Sequence, residues 1–121
     1  MTKRILVIDD EDSIRELACA CLEDLGNWDT IAAANGREGI LIAGTEAIDA
    51  ILLDVSMPDM DGIECYELLK PFTIPIILLT AKVLPEDRSR FSQLAIAGII
   101  PKPFNPALIC EQIADFLNWD F

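Results

Sequence analysis

Short apolar runs alternate with amphipathic stretches five times along the chain. Arg4 to Ile8 is a continuous hydrophobic run, the pattern of a strand buried on both faces, and Asp9 and Asp10 close it. From Ser13 to Leu25 the period changes. Ile14, Leu17, Cys21, Leu22 and Leu25 recur at helical spacing, and Gly26 is the stop. Trp28 to Ala34 is a weaker strand, poorer in β-branched residues, which suits a sheet edge. Asn35-Gly36 makes a turn into a helix over Arg37 to Ala43, ended by Gly44.

Ile48 to Leu53 is the third strand, and it runs straight into Asp54. Pro58 and Gly62 punctuate the loop after it. Asp61 caps a third helix with Ile63, Tyr66 and Leu69 turned inward, and Pro71 ends it. Ile74 to Leu79 is a fourth strand closed by Thr80, and Pro85 suits the first turn of a helix reaching about Ala95. Ile99 and Ile100 form a short fifth strand before Lys102-Pro103. A last helix spans about Pro106 to Asn118, with Ile109, Ile113, Phe116 and Leu117 on one face. Five strand–helix units with short connections require parallel strands and right-handed crossovers, hence a doubly wound, three-layer α/β/α sandwich.

Composition narrows what such a domain can do. At 121 residues the chain makes one domain with a core of useful size, and 52% apolar residues outweigh the disordering effect of a net charge of −12. Nine Lys and Arg against 21 acids argue against binding nucleic acid or an anionic membrane surface. The apolar stretches are too short or interrupted to span a bilayer, and the acids at 9–12 exclude a signal peptide, so a cytoplasmic location is expected. The four cysteines fall inside helical patterns and read as buried thiols; with no histidine, zinc sites and imidazole catalysis are excluded.

The candidate chemistry lies at the strand ends. In a doubly wound sheet the carboxyl ends of the strands share one edge, where ligands bind. Asp9, Asp10, Asp54, Thr80 and Lys102 all follow strands there. Each has a plain role as loop residue, turn former or surface lysine; their coincidence at one edge points to a site. Clustered carboxylates repel unless a cation joins them, and an all-oxygen set suits Mg²⁺, with Mn²⁺ also acceptable. Asp54 is the candidate nucleophile for a phosphoryl group, Lys102 offers a point positive charge, and the Thr80 hydroxyl offers a donor.

These pieces resemble the receiver domain of two-component response regulators, the CheY-like family, over essentially the whole length. The matching residues are Ile5-Leu6-Val7-Ile8-Asp9-Asp10-Glu11, Leu53-Asp54-Val55-Ser56-Met57-Pro58 with Asp61-Gly62, Thr80-Ala81, and Lys102-Pro103-Phe104. The resemblance implies a five-stranded sheet of order 2-1-3-4-5. It also implies a domain that promotes its own phosphorylation and dephosphorylation at Asp54, the donor being a phosphohistidine. The donor's bearer would be a sensor histidine kinase or a histidine phosphotransfer protein. By the family pattern Asp10, Asp54 and the Ser56 main-chain carbonyl ligate Mg²⁺, Asp9 acts mainly through water, and Thr80 and Lys102 contact the phosphoryl group. A cis Lys102-Pro103 bond is also implied.

The departure is Ile99. Many relatives carry Tyr or Phe there, whose ring turns when the threonine moves; Ile99 is stiff at χ1. The weaker expectation is kept, that Thr80 shifts towards the phosphoryl group and repacks the loop and fourth helix. Ser56 and Lys82 flank the site and influence phosphoryl lifetime. The start of helix one, Glu11 to Leu17, would dock the phosphodonor protein, although Ile14 and Leu17 also read as core. A face of helix four, strand five and helix five, with Arg88, Arg90 and Asn105, would meet a downstream protein. The chain ends at Trp119-Asp120-Phe121, so 1–121 is expected to be a single receiver domain with no output domain, though a piece of a longer regulator would look identical.

Three rivals are weighed. A haloacid-dehalogenase-like phosphatase needs a second Asp where Ser56 stands. A flavodoxin-like flavin binder needs a phosphate-cradling loop where Asp9-Asp10-Glu11-Asp12 is repulsive. An unphosphorylated receiver-like interaction module is the alternative kept; its usual sign, loss of the nucleophile or lysine, is missing.

Overall fold

The computed structural model describes residues 2–55, 62–81 and 85–120. Its five strands are β1 (Arg4–Ile8), β2 (Asp29–Ala33), β3 (Ala50–Asp54), β4 (Ile76–Thr80) and β5 (Gly98–Pro101). They form one parallel sheet of order β2-β1-β3-β4-β5, with β2 at an edge as its composition implied. The helices between and after them are α1 (Asp12–Asp24), α2 (Gly36–Thr45), α3 (Gly62–Leu69), α4 (Pro85–Ser92) and α5 (Ile109–Leu117).

Strand alternation divides the core in two. Ile5, Val7, Ala50, Leu52, Ile77, Leu79 and Ile100 pack against Ala18, Cys21 and Leu22 of α1 and Ile109, Cys110 and Ile113 of α5. Leu6, Ile8, Ile51, Leu53, Ile76 and Leu78 pack on the other face against Ala43 of α2, Cys65, Tyr66 and Leu69 of α3, and Phe91 of α4. Strands buried on both faces need continuous apolar runs, which is what the sequence shows. The central strands cannot move along their axes without exposing whole rows of side chains, so their carboxyl ends are held in fixed relation.

Several local expectations are corrected. Leu17 is 43% exposed and Leu25 is 51% exposed; the inward stripe of α1 is Ala18, Cys21 and Leu22, with Ile14 packed at its margin. Gly26 keeps a negative φ, and the left-handed residue is Asn27 at φ 55°. Gly26 is required instead for close approach. A Cβ there would lie 2.7 Å from the Leu22 carbonyl oxygen and 2.8 Å from the Trp28 ring. α4 ends at Ser92 rather than near Ala95. The α5 helix starts at Ile109 because 106–108 form a turn in which the Asn105 Oδ1 accepts from the Ala107 N–H at 2.9 Å. Asn105, proposed for a partner surface, thus also shapes the entry to α5. All four cysteines are free thiols, with Cys21, Cys65 and Cys110 buried and Cys19 half-buried. Burial pushes the Cys65 thiol up to about 11.

Candidate phosphoryl-acceptor site

The register places the acids. Ile8 pairs with Leu53, so one step further along the parallel strands Asp9 comes beside Asp54. Asp54 in turn pairs with Leu79, which brings Thr80 to the next position on β4. The Thr80 carbonyl accepts from the Lys102 N–H at 2.8 Å, so the end of β4 and the start of the β5–α5 loop are tied together. The Lys102-Pro103 bond is cis. Five residues scattered over 94 positions of sequence therefore meet at one rim.

Asp9 and Asp54 are almost wholly buried. One carboxylate oxygen from each of Asp9, Asp10 and Asp54 lies within 4.8 Å of the others. The Lys102 ammonium stands 3.1 Å from Asp9 Oδ2, 3.3 Å from Asp54 Oδ1 and 3.3 Å from Glu11 Oε1, with its side chain only 13% exposed. Burial alone would lower the pKa of Lys102, but the carboxylates of Asp9, Asp54 and Glu11 outweigh it and the pKa is raised. Lys102 is therefore a full positive charge at neutral pH. It compensates part of the negative charge that three converging acids create.

The three acids are not equivalent. Asp9 Oδ1 accepts from the Glu11 N–H at 2.9 Å, and its buried Oδ2, which makes no hydrogen bond among the described residues, is ion-paired with Lys102 at 3.1 Å. Asp10 Oδ1 is buried and has no hydrogen-bond donor among the described residues. A buried carboxylate oxygen left in that condition is costly unless a cation or water meets it. A hard, all-oxygen set of ligands that includes such an atom fits a small divalent cation. Ser56, Asp61 and Lys82, and the side chain of Arg88, lie outside the described residues.

Residues 5–114 match the family model for the response regulator receiver domain. The chain belongs to that family. It is 42% identical over 120 residues to the alkaline phosphatase synthesis transcriptional regulatory protein PhoP of Bacillus subtilis, covering 98% of this chain and 50% of the relative. It is also 42% identical over 117 residues to the probable transcriptional regulator ycf27 of Porphyridium aerugineum, covering 96% and 48%. The receiver domain thus spans about half the length of these curated relatives. Among solved structures, Vibrio cholerae chemotaxis protein CheY4 superposes with a TM-score of 0.88 at 30% identity, over 96% of this chain and 99% of the other. The receiver domain of the Pseudomonas aeruginosa sensor histidine kinase PA1611 holds a magnesium ion in its active-site cleft. It superposes with a TM-score of 0.85 at 26% identity, covering 98% and 99%.

Two residues at the rim were not singled out as site residues by the pattern of the sequence. Glu11 reads as one more acid in a run, and only folding brings it to Lys102. Arg15 reads as a solvated helix charge, yet its side chain is 16% exposed and its Nη1 donates to the Asp9 carbonyl at 2.8 Å. The spacing of Asp12 and Arg15 is the one trace it leaves in the sequence. Among the described residues, no helix is long and apolar enough to cross a membrane.

Proposed function

We propose that this receiver domain accepts a phosphoryl group on Asp54 in a Mg²⁺-dependent reaction, Mn²⁺ being an adequate substitute. The donor is the phosphohistidine of a sensor histidine kinase or a histidine phosphotransfer protein. The observation that carries the proposal is the convergence of Asp9, Asp10 and Asp54 beside the Lys102 ammonium. The magnesium held by the receiver domain of the Pseudomonas kinase supports the choice of ion.

Asp10, Asp54 and, through water, Asp9 would hold the cation, with the Ser56 carbonyl as a further ligand. When bound, the ion neutralises the acid cluster and the incoming phosphoryl oxygens. An Asp54 carboxylate oxygen attacks phosphorus, the phosphorus–nitrogen bond breaks, and the electron pair stays on the imidazole nitrogen. Lys102, already a full cation beside Asp54, turns its charge to a phosphoryl oxygen, and the Thr80 hydroxyl donates to another. Such transfers need positioning and charge stabilisation more than covalent chemistry from the protein. Hydrolysis of the aspartyl phosphate at the same site resets the domain.

Strand alternation puts Thr80 on the face of Ile76 and Leu78, the layer covered by Phe91 of α4. Its movement towards the phosphoryl group would repack α4 and change the α4–β5–α5 face, through which a downstream protein is engaged. Ile99 packs in that same layer and supplies bulk there without a rotating ring. The relatives named as transcriptional regulators are about twice as long. DNA contact is assigned to none of these strongly acidic residues.

With Mg²⁺ and acetyl phosphate, the protein should gain one acid-stable, base-labile phosphoryl group by intact mass, and Asp54→Asn should abolish the gain. Modification that persists in the variant would reject Asp54 as acceptor.

A further inference from the structure

We infer that Arg15 is a positioning residue for the cation-holding acids, acting through the main-chain carbonyl between Asp9 and Asp10. This rests on the reading of the acid cluster as a Mg²⁺ site.

The β1 ladder ends at Ile8, so the Asp9 carbonyl has left the sheet and α1 begins only at Asp12. The peptide group joining Asp9 to Asp10 therefore gets its orientation from neither element. Among the described residues, Lys102 is ion-paired with Asp9 Oδ2 and Glu11 Oε1, and three hydrogen bonds bear on Asp9. The Asp9 N–H donates to the Ala33 carbonyl at 3.1 Å, and the Glu11 N–H donates to Asp9 Oδ1. The third is Arg15 Nη1, donating to the Asp9 carbonyl at 2.8 Å. The guanidinium is itself held, because Nη2 meets Asp12 Oδ1 at 2.5 Å, and the Arg15 N–H donates to the Glu11 carbonyl at 3.0 Å from inside α1. One planar fork thus joins the loose end of β1 to the first turn of α1.

Rotating the Asp9–Asp10 peptide would swing the Asp10 Cα and its carboxylate, whose buried Oδ1 meets no protein donor among the described residues. The Arg15 contact is made to the carbonyl of that very peptide, so it resists the rotation directly. Charge alone predicts the opposite influence, since a guanidinium beside three acids repels an arriving cation and its removal should tighten binding. The sign of the effect therefore separates positioning from electrostatics.

The test is Mg²⁺ affinity of the whole chain by isothermal titration calorimetry, with urea unfolding in the absence of metal as the control on folding. Arg15→Met should weaken Mg²⁺ binding by about 10-fold, the lower end of what losing a residue that orients a metal ligand costs. Arg15→Lys should recover part of that loss, because an ammonium can still donate to the Asp9 carbonyl without bridging to Asp12. Equal or tighter binding by Arg15→Met, or no recovery in Arg15→Lys, would overturn the inference. If Arg15→Met does not fold, a few-fold loss in Arg15→Lys carries the test and an unchanged affinity overturns it. If the unmodified protein binds no Mg²⁺, the reading of the acid cluster falls, and this inference with it.

Discussion

Asp9 and Asp10 are neighbours with the same side chain, and their environments differ. Asp9 has one oxygen on the Glu11 amide and the other against Lys102, so it is committed within the protein. Asp10 keeps a buried oxygen with no donor among the described residues. Asp10→Ala should therefore weaken Mg²⁺ binding more than Asp9→Ala, and equal losses in a metal titration would contradict that order. Lys102 shows how two opposed effects are decided by geometry. Its burial disfavours the ammonium, but carboxylates at 3.1 and 3.3 Å more than reverse that. The raised pKa means its stabilising contribution is complete below the ordinary lysine value and is lost only as pH climbs past it. The site therefore keeps this cation across the whole physiological range.

The connection from α1 to β2 is built by close packing. Gly26 lies under the Leu22 carbonyl and against the Trp28 ring, while Asn27 takes the left-handed conformation. Trp28 in turn stacks edge-on against Trp119 after α5, with ring centroids 5.4 Å apart. A methyl at position 26 meets a backbone oxygen and a rigid buried ring, neither of which can yield cheaply. Gly26→Ala should thus lower stability by about 1–3 kcal/mol, the usual penalty for overpacking, read as a shift in the urea midpoint. An unchanged midpoint would mean that the Trp28–Trp119 pair slides aside without cost. Because this packing lies at the end of the sheet away from Asp54, the variant should still accept a phosphoryl group when folded.

Taken together, the molecule is a strongly acidic domain whose sheet gathers three of its negative charges at one rim. Self-repulsion of this kind destabilises the compact state, and a cation that binds only the folded form offsets it. Mg²⁺ should raise the thermal midpoint, by an amount equivalent to about 2.7 kcal/mol at a hundred times the dissociation constant. A chelator should reverse the gain, and Asp10→Ala should lose most of it. A rise of the same size in that variant would mean the ion acts by general screening. At one end of the sheet the Trp28–Trp119 pair packs beside the core, and at the other Asp9 and Asp54 lie buried at the rim. The tryptophan packing and the proposed site are thereby separated along the strand axis.

The periodicities were enough to establish the strands, their parallel pairing and the edge position of β2, because continuous apolar runs between amphipathic stretches allow few other arrangements. The convergence of polar residues at one rim was legible for the same reason. Asp9, Asp54 and Thr80 are polar residues where apolar runs end, and strand ends in this architecture share a rim. The inward face of α1 was not legible at Leu17, since helical spacing marks a stripe without saying how wide the covering sheet is. Gly26 was legible as a helix stop, but nothing in the pattern marked Asn27 as the left-handed residue after it. Above all, the partners of a long polar side chain depend on where other elements come to rest. Only the folded arrangement could bring Glu11 to Lys102 and turn Arg15 from a surface charge into a brace on the Asp9 carbonyl.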